Sequence, residues 1–190
     1  MQRRWHKKRI VCVCLVAVFL YLILRTQKKN AVIQFKIDNS RATDIWEFVA
    51  DFSNMKKLNP TILEFNILAE SGNYDHWQYS VEYTEFLSSY PFIHNFIVSH
   101  FNVKPADKGA FVIQATHSSC FYTRLACLSS ESEFRFEQEG SNTNCIENIT
   151  YECPFAFSSL CHREVMYQRT KIKSNLQSHF SVQKMQSKNM

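Results

Sequence analysis

The sequence predicts an α+β protein with about seven antiparallel strands and a long C-terminal helix, preceded by one transmembrane helix. Three observations carry this expectation. Only three glycines occur in the 190 residues, Gly72, Gly109 and Gly140. Each lies in a short polar cluster (SGNYD, KPADKG, EGSNTN) between aromatic-rich runs, a placement that suits hairpin turns. Between these clusters the side chains alternate with period two, the signature of strands with one buried face. Finally, the uncharged run Ile10–Leu24 (IVCVCLVAVFLYLIL) stands between Arg9 and Arg25.

A spanning helix usually needs ~20 apolar residues, so this run is short. Arg9 and Arg25 can lengthen it by snorkelling, and Trp5 sits where an interfacial aromatic belongs. A cleaved signal peptide would share the basic front and the apolar run, but it needs small residues at a cleavage site. The following Arg25, Thr26, Gln27, Lys28 and Lys29 fit that poorly. A buried core helix is not expected, because the run is apolar on every face and sits at the terminus of the chain. An uncleaved anchor is the expectation. The chain then divides into a basic tail (1–9), an anchor (10–24), a linker (25–30), one domain (31–180) and a polar tail (181–190).

Charge follows that division. The chain is +5 overall, but residues 1–29 hold eight Lys/Arg and no acid, which leaves fourteen basic against seventeen acidic residues in the remainder. A basic groove for nucleic acid is not expected. Five basic residues precede the apolar run and three follow it, so the N-terminus should stay cytosolic and the domain should be lumenal or extracellular. Asn148-Ile149-Thr150 is the only N-glycosylation sequon, with Asn148 alternating outward from Ile149. Five of the seven cysteines lie in the domain. In an oxidising compartment Cys120 and Cys127 could close a loop, with an odd thiol left over. Cys145 and Cys153 should not pair, because eight strand residues span roughly 26 Å and disulfide Cα atoms lie within ~7 Å.

Along the domain, 31–37 reads as a strand. Asn39 or Ser40 can cap a helix over 42–52, with Ile45, Phe48, Val49 and Phe52 at helical spacing. A short helix over 54–58 is stopped by Pro60. Strands follow at 61–70, 76–83, 94–103, 110–117, 131–139 and 145–153. The third strand sets Trp77, Tyr79, Val81 and Tyr83 against Gln78, Ser80 and Glu82. The sixth sets Phe134 and Phe136 against charged neighbours, and the seventh groups Cys145, Ile149, Tyr151 and Cys153. The last helix begins near Ser158 or Ser159 and runs to Phe180, with the apolar stripe Cys161, Val165, Ile172, Leu176 and Phe180.

With that order of elements, the stretch IWEFVADFSNMKKLNP (Ile45–Pro60) resembles the SRPBCC superfamily, the START-like, polyketide-cyclase-like and Bet v 1-like proteins of helix-grip fold. Their pattern is an aliphatic–Trp pair, an aliphatic helix face, Asp or Asn before an aromatic, and a hydrophobic–Asn–Pro stop. Here these positions are Ile45–Trp46, Val49, Asp51–Phe52 and Leu58–Asn59–Pro60. The resemblance covers residues 31–180. It implies a sheet wrapped round the last helix, with a deep apolar cavity that takes lipids or other hydrophobic small molecules. The cavity would then be faced by Trp77, Tyr79, Val81, Tyr83, Phe111, Ile113, Phe134, Phe136, Glu147, Ile149, Tyr151, Val165, Gln168, Ile172 and Leu176. The chain departs from the family in its anchor and in an insertion-like loop, Ser118–Ser130.

No strong catalytic motif is present, and no cofactor or metal is expected. His94, His100 and His117 read as surface or loop histidines, since zinc needs three or four converging ligands. Glu147 falls on the inward face of its strand. It could act as a general acid or base, lie beyond the core edge, or pair with Arg169. Gln168 and Arg169 interrupt the apolar stripe and could hold a ligand's polar head or reach solvent. The leading expectation is a membrane-anchored binder of a lipid or similar molecule. A cyclase- or hydratase-type enzyme and a scaffold with a filled core are the alternatives.

Overall fold

The computed structural model describes residues 2–121 and 126–188. Helix α1 (Gln2–Leu24) leads into strand β1 (Thr26–Ile37), followed by α2 (Ala42–Ala50) and α3 (Phe52–Leu58). Then come β2 (Ile62–Asn73), β3 (His76–Leu87), β4 (Tyr90–Pro105), β5 (Phe111–Phe121), β6 (Ala126–Glu139), β7 (Asn142–Pro154) and α4 (Ser158–Lys188). The strands form one antiparallel sheet in the order β1-β7-β6-β5-β4-β3-β2. Strands β2 to β7 are joined by hairpins, while α2 and α3 carry the chain from β1 at one edge to β2 at the other. Helix α4 packs across β1, β7 and α3. This is the expected α+β helix-grip.

The sheet has two unlike ends. At one end the β2–β3, β4–β5 and β6–β7 turns fall at the glycine clusters. Gly72 there takes φ +101°, and a Cβ would stand 2.0 Å from the His76 carbonyl oxygen, so no side chain fits. Helix α2 closes this end. Its Ile45, Trp46, Val49 and Ala50 are buried, Trp46 packs 4.8 Å from the Phe111 ring, and Phe134 lies 4.4 Å from Phe136. The Tyr79 hydroxyl donates to the Ala50 carbonyl at 2.9 Å. The opposite end carries the β3–β4 turn, the start of β1 and the end of β7, with no helix laid over it.

Several expectations change at the ends of elements. The segment 25–30 is no linker, because Thr26 to Asn30 pair with Pro154 to Thr150 as the first half of β1. An edge strand that is polar on both faces shows no alternation, so only its partner reveals it. The loop expected at Ser118–Ser130 is largely strand, with Ser118 opposite Ser129 and Cys120 opposite Cys127; residues 122–125 lie outside the described residues. The polar tail expected from 181 continues α4 to Lys188, and its last two residues lie outside the described ones. Neither Asn39 nor Ser40 caps α2. Arg41 holds the cap position without a side-chain bond, and the Gln138 Oε1 accepts from the Ala42 N–H at 2.8 Å instead. Helix α2 ends at Ala50 because Asp51 starts α3, its carboxylate accepting from the Ser53 N–H at 2.9 Å.

Disulfides join Cys120 to Cys127 and Cys153 to Cys161. Cys145 is a buried free thiol, pushed up to about 12 by burial, and so inert. Helix α1 leaves its apolar side chains exposed, from Ile10 to Leu24. No helix among the described residues is long and apolar enough to cross a membrane. The Trp5 side chain lies outside the described residues.

Candidate functional site: an apolar cavity under the last helix

A cavity of about 670 Å³ lies between the sheet and α4, within the range of small-molecule sites. Its deep walls, Val49, Phe52, Ile62, Ile97, Ile113 and Phe134, are buried. Its other end is lined by Leu24, Thr26, Cys127, Ser129 and Phe157, all exposed. The cavity therefore opens at the end of the sheet that α2 leaves uncovered. A second hollow, of about 740 Å³, lies on the outer face of the sheet. Polar side chains line it, among them Gln78, His100, Gln114, Glu131 and Glu133. It does not suit an apolar ligand.

The structure divides the residues expected to face the cavity into two groups. Tyr83, Ile113, Phe134, Glu147, Ile149, Tyr151, Val165, Gln168 and Ile172 line it. Trp77, Tyr79, Val81, Phe111, Phe136 and Leu176 do not; they pack in or against the core at the closed end. The register explains the division. One row of paired residues runs Trp77, Val103, Ile113, Phe134, Glu147 and Ile33 across the strands. The middle of this row meets the cavity, and its β3 end meets the plug. Alternation gives the face of a side chain, not its depth beneath α4.

Polar groups are concentrated in the middle of the cavity. Glu147 and Arg169 form an ion pair at 3.3 Å, with side chains 7% and 19% exposed. Burial raises the Glu147 carboxyl and the Arg169 charge partly offsets this. Glu85 is likewise raised by burial, and it accepts from the Asn95 and Gln168 amides at 3.1 and 3.2 Å. Gln168 and Arg169 thus face inward onto acids rather than reaching solvent. His117 is a cavity residue, not a loop one: burial lowers its imidazole to about 3, and its Nδ1 lies 2.6 Å from the Ser99 hydroxyl. Sequence reasoning missed Glu85, Asn95 and His117, since isolated polar residues in aromatic strands look like the solvent face.

Asn95 Oδ1, His117 Nε2 and Arg169 Nε are buried with no hydrogen-bond partner in the protein, and all three residues line the cavity. The Arg169 contact with Glu147 is close in charge separation but badly directed for a hydrogen bond. Buried polar atoms are normally satisfied, so these three suit a ligand that brings its own polar atoms. His94 and His100 are exposed, and among the described residues no three His, Cys, Asp or Glu side chains converge on a metal position.

The site is held by α4 at both ends. Near the closed end, the Asn175 amide donates to the Leu58 carbonyl and the Gln177 amide to the Lys36 carbonyl, both at 2.9 Å. Near the mouth, Glu164 accepts from the Ser88 N–H at 2.9 and 3.0 Å and from its hydroxyl at 2.7 Å. The Cys153–Cys161 disulfide ties the end of β7 to the first turn of α4.

A seven-stranded antiparallel sheet gripping a C-terminal helix over an apolar cavity is the START-like helix-grip fold. No family model matches the chain, and no curated protein does. Among solved structures it is similar to the Zhui aromatase/cyclase from Streptomyces sp. R1128, with TM-score 0.57, 8% identity, and 83% of this chain and 94% of that one covered. It is also similar to norcoclaurine synthase from Thalictrum flavum, with TM-score 0.56, 11% identity and coverage of 83% and 88%. A START superfamily protein from Mycobacterium smegmatis matches with TM-score 0.55, 13% identity and coverage of 80% and 97%. At such identities these likenesses show the fold.

Proposed function

We propose that this chain is a membrane-anchored protein that binds, and passes on, a lipid or similar hydrophobic molecule with a small uncharged head. The observation that carries the reading is the cavity of about 670 Å³ under α4, apolar at its walls and polar at its middle. Enclosing a few hundred Å² of apolar ligand surface at ~25 cal/mol/Å² is a sufficient driving force. The head is uncharged because Arg169 already faces Glu147. An anionic head would find no cation to spare, and the acids outside the pair are already engaged, Glu85 by the Asn95 and Gln168 amides and held toward its neutral form by burial, Glu164 by Ser88.

Anchoring is supported by the apolar side chains of α1, which are exposed from Ile10 to Leu22. The run is short, and Arg9 and Arg25 extend it by snorkelling. Two disulfides among the described residues fit an oxidising compartment, in keeping with a lumenal or extracellular domain. Native mass spectrometry of the detergent-solubilised chain, followed by solvent extraction, tests the reading. A bound lipid is expected, and an unliganded protein from every preparation overturns it.

A cyclase- or hydratase-type enzyme is the second reading, favoured by two burial-raised carboxyls, Glu85 and Glu147, on one cavity. A product differing from the extracted ligand by water or a ring closure, formed by the wild type and not by Glu147→Gln, would favour it.

A further inference from the structure

Exposed aromatic side chains cluster at the open end of the sheet, and one of them, Phe157, lines the cavity mouth itself. Phe92 is 80% exposed, Phe155 58% and Phe157 49%, with Tyr90 beside Phe92 in an edge contact at 6.1 Å. They come from two places, the start of β4 just past the β3–β4 turn, and the 3-10 turn Phe155–Phe157 between β7 and α4. Antiparallel topology puts both at the same end of the sheet. Glu164 then ties Ser88 of the first turn to α4, and the Cys153–Cys161 disulfide brackets the second. The exposed aromatics are therefore held in place, not loose.

The same end is where α1 departs. The Phe155 N–H donates to the Arg25 carbonyl at 3.1 Å, Leu24 lines the cavity mouth, and Tyr21 and Leu24 remain exposed. The uncovered apolar surface of α1 is thus continuous with the aromatic rim. Arg25, Lys28 and Arg163 are exposed on the elements that meet at this end, the start of β1 and the start of α4. Aromatic side chains interleaved with basic ones are what a lipid headgroup layer accommodates.

We infer that the rim Tyr90, Phe92, Phe155 and Phe157 is a bilayer-docking face that seats the cavity mouth on the membrane from which α1 emerges, so that a ligand enters without crossing water. The inference rests on the anchored-carrier reading and adds a second, separable contact to the anchor. Interfacial aromatics enter the headgroup–acyl boundary by ~5–10 Å, so the rim should sit at shallow depth while Trp46 and Trp77 stay well away.

The test uses the full chain reconstituted in vesicles of phosphatidylcholine and phosphatidylserine, carrying phosphatidylcholine brominated at a shallow or a deep acyl position. The variants Phe92→Trp and Phe157→Trp each place a reporter on the rim. Their added fluorescence is expected to be quenched at least about twofold, more by the shallow bromines, with a blue-shifted emission. Phe92→Asp, at a site too exposed to affect folding, should slow delivery of the co-purifying lipid to acceptor vesicles about tenfold, while the chain stays in the pellet. Unquenched reporters at both positions overturn the docking face. If the wild type still carries lipid in that case, the carrier reading stands without it. Quenched reporters on a chain that never carries lipid uphold docking and remove the carrier.

Discussion

The Glu147–Arg169 pair makes a quantitative prediction about stability. Glu147 is buried in the cavity wall and Arg169 is largely buried beside it, 3.3 Å away. Arg169→Met would strand a carboxylate, and breaking a buried pair typically costs about 3–5 kcal/mol. Glu147 has a cheaper route, which is to take up a proton. Protonating it costs about 1.4 kcal/mol for each pH unit above its ordinary value of 4.5. That is about 1.4 kcal/mol at pH 5.5 and about 3.5 kcal/mol at pH 7, so protonation caps the penalty. The sign follows from the direction of the shift. Burial already holds the folded carboxyl above its unfolded value, so its contribution is fully present below that unfolded value and is lost as pH rises through the folded one. Removing Arg169 raises the folded value further and extends the loss to higher pH. Urea unfolding of wild type, Arg169→Met and Glu147→Gln/Arg169→Met between pH 4.5 and 7.5 checks this. The single variant should match the double near pH 4.5 and fall behind it by about 1.4 kcal/mol per pH unit above that. A gap independent of pH, or a double variant as unstable as the single at pH 7, would refute the assignment of a buried, cavity-facing carboxylate.

Filling the cavity should separate binding from folding. Val165→Phe, at a half-buried position on the cavity, should melt near wild type yet lose the co-purifying lipid. Ile172→Trp should also exclude lipid, with part of the ~1–3 kcal/mol overpacking cost, because Ile172 belongs to the core cluster as well. Unfolding by both, with no lipid in the wild type, would return the scaffold reading. Cys153→Ser/Cys161→Ser opens a short loop and should cost about 2.5 kcal/mol, measured as a shift in the urea midpoint, while speeding ligand exchange at the mouth. Unchanged stability would mean the bond is not closed in solution. Glycosidase-sensitive mass that disappears in Asn148→Gln is expected from the exposed Asn148; full digestion of the domain by protease outside sealed microsomes would reverse the topology.

How much was legible depended on whether the physical signal is local. The hairpins at the glycine clusters, the seven strands and the stripe of α4 each leave a pattern within a dozen residues, and each appears in the structure close to where the pattern lies. Strand β1 before residue 31 leaves none. Lys28 and Lys29 sit on an edge where both faces are wet, and only pairing with Glu152 and Tyr151 makes them a strand. The Cys153–Cys161 bond was also out of reach. Its eight-residue separation is the same as that between Cys145 and Cys153, which cannot pair along one extended strand. The difference is that the chain turns after Pro154, through Phe155–Phe157, into α4, and that turn has no signal beyond the proline.

The site was legible as a face and not as a place. Glu147 and Trp77 lie on the same row of the sheet, yet Glu147 meets Arg169 in the cavity while the Trp77 ring lies tilted 4.8 Å from Tyr79 in the plug. What separates them is the path of α4 and the position of α2 across one end of the sheet, both set by long-range contacts. The same asymmetry gives the cavity its direction. Closing one end with Trp46, Phe111 and Phe136 leaves the other as the entrance, and that entrance is where the carbonyl of Arg25, just past α1, accepts from the Phe155 N–H. A cavity plugged far from the apolar helix and open beside it is the arrangement the proposed carrier requires, because an apolar ligand would then pass between the cavity and the surroundings of that helix with little of its surface exposed to water.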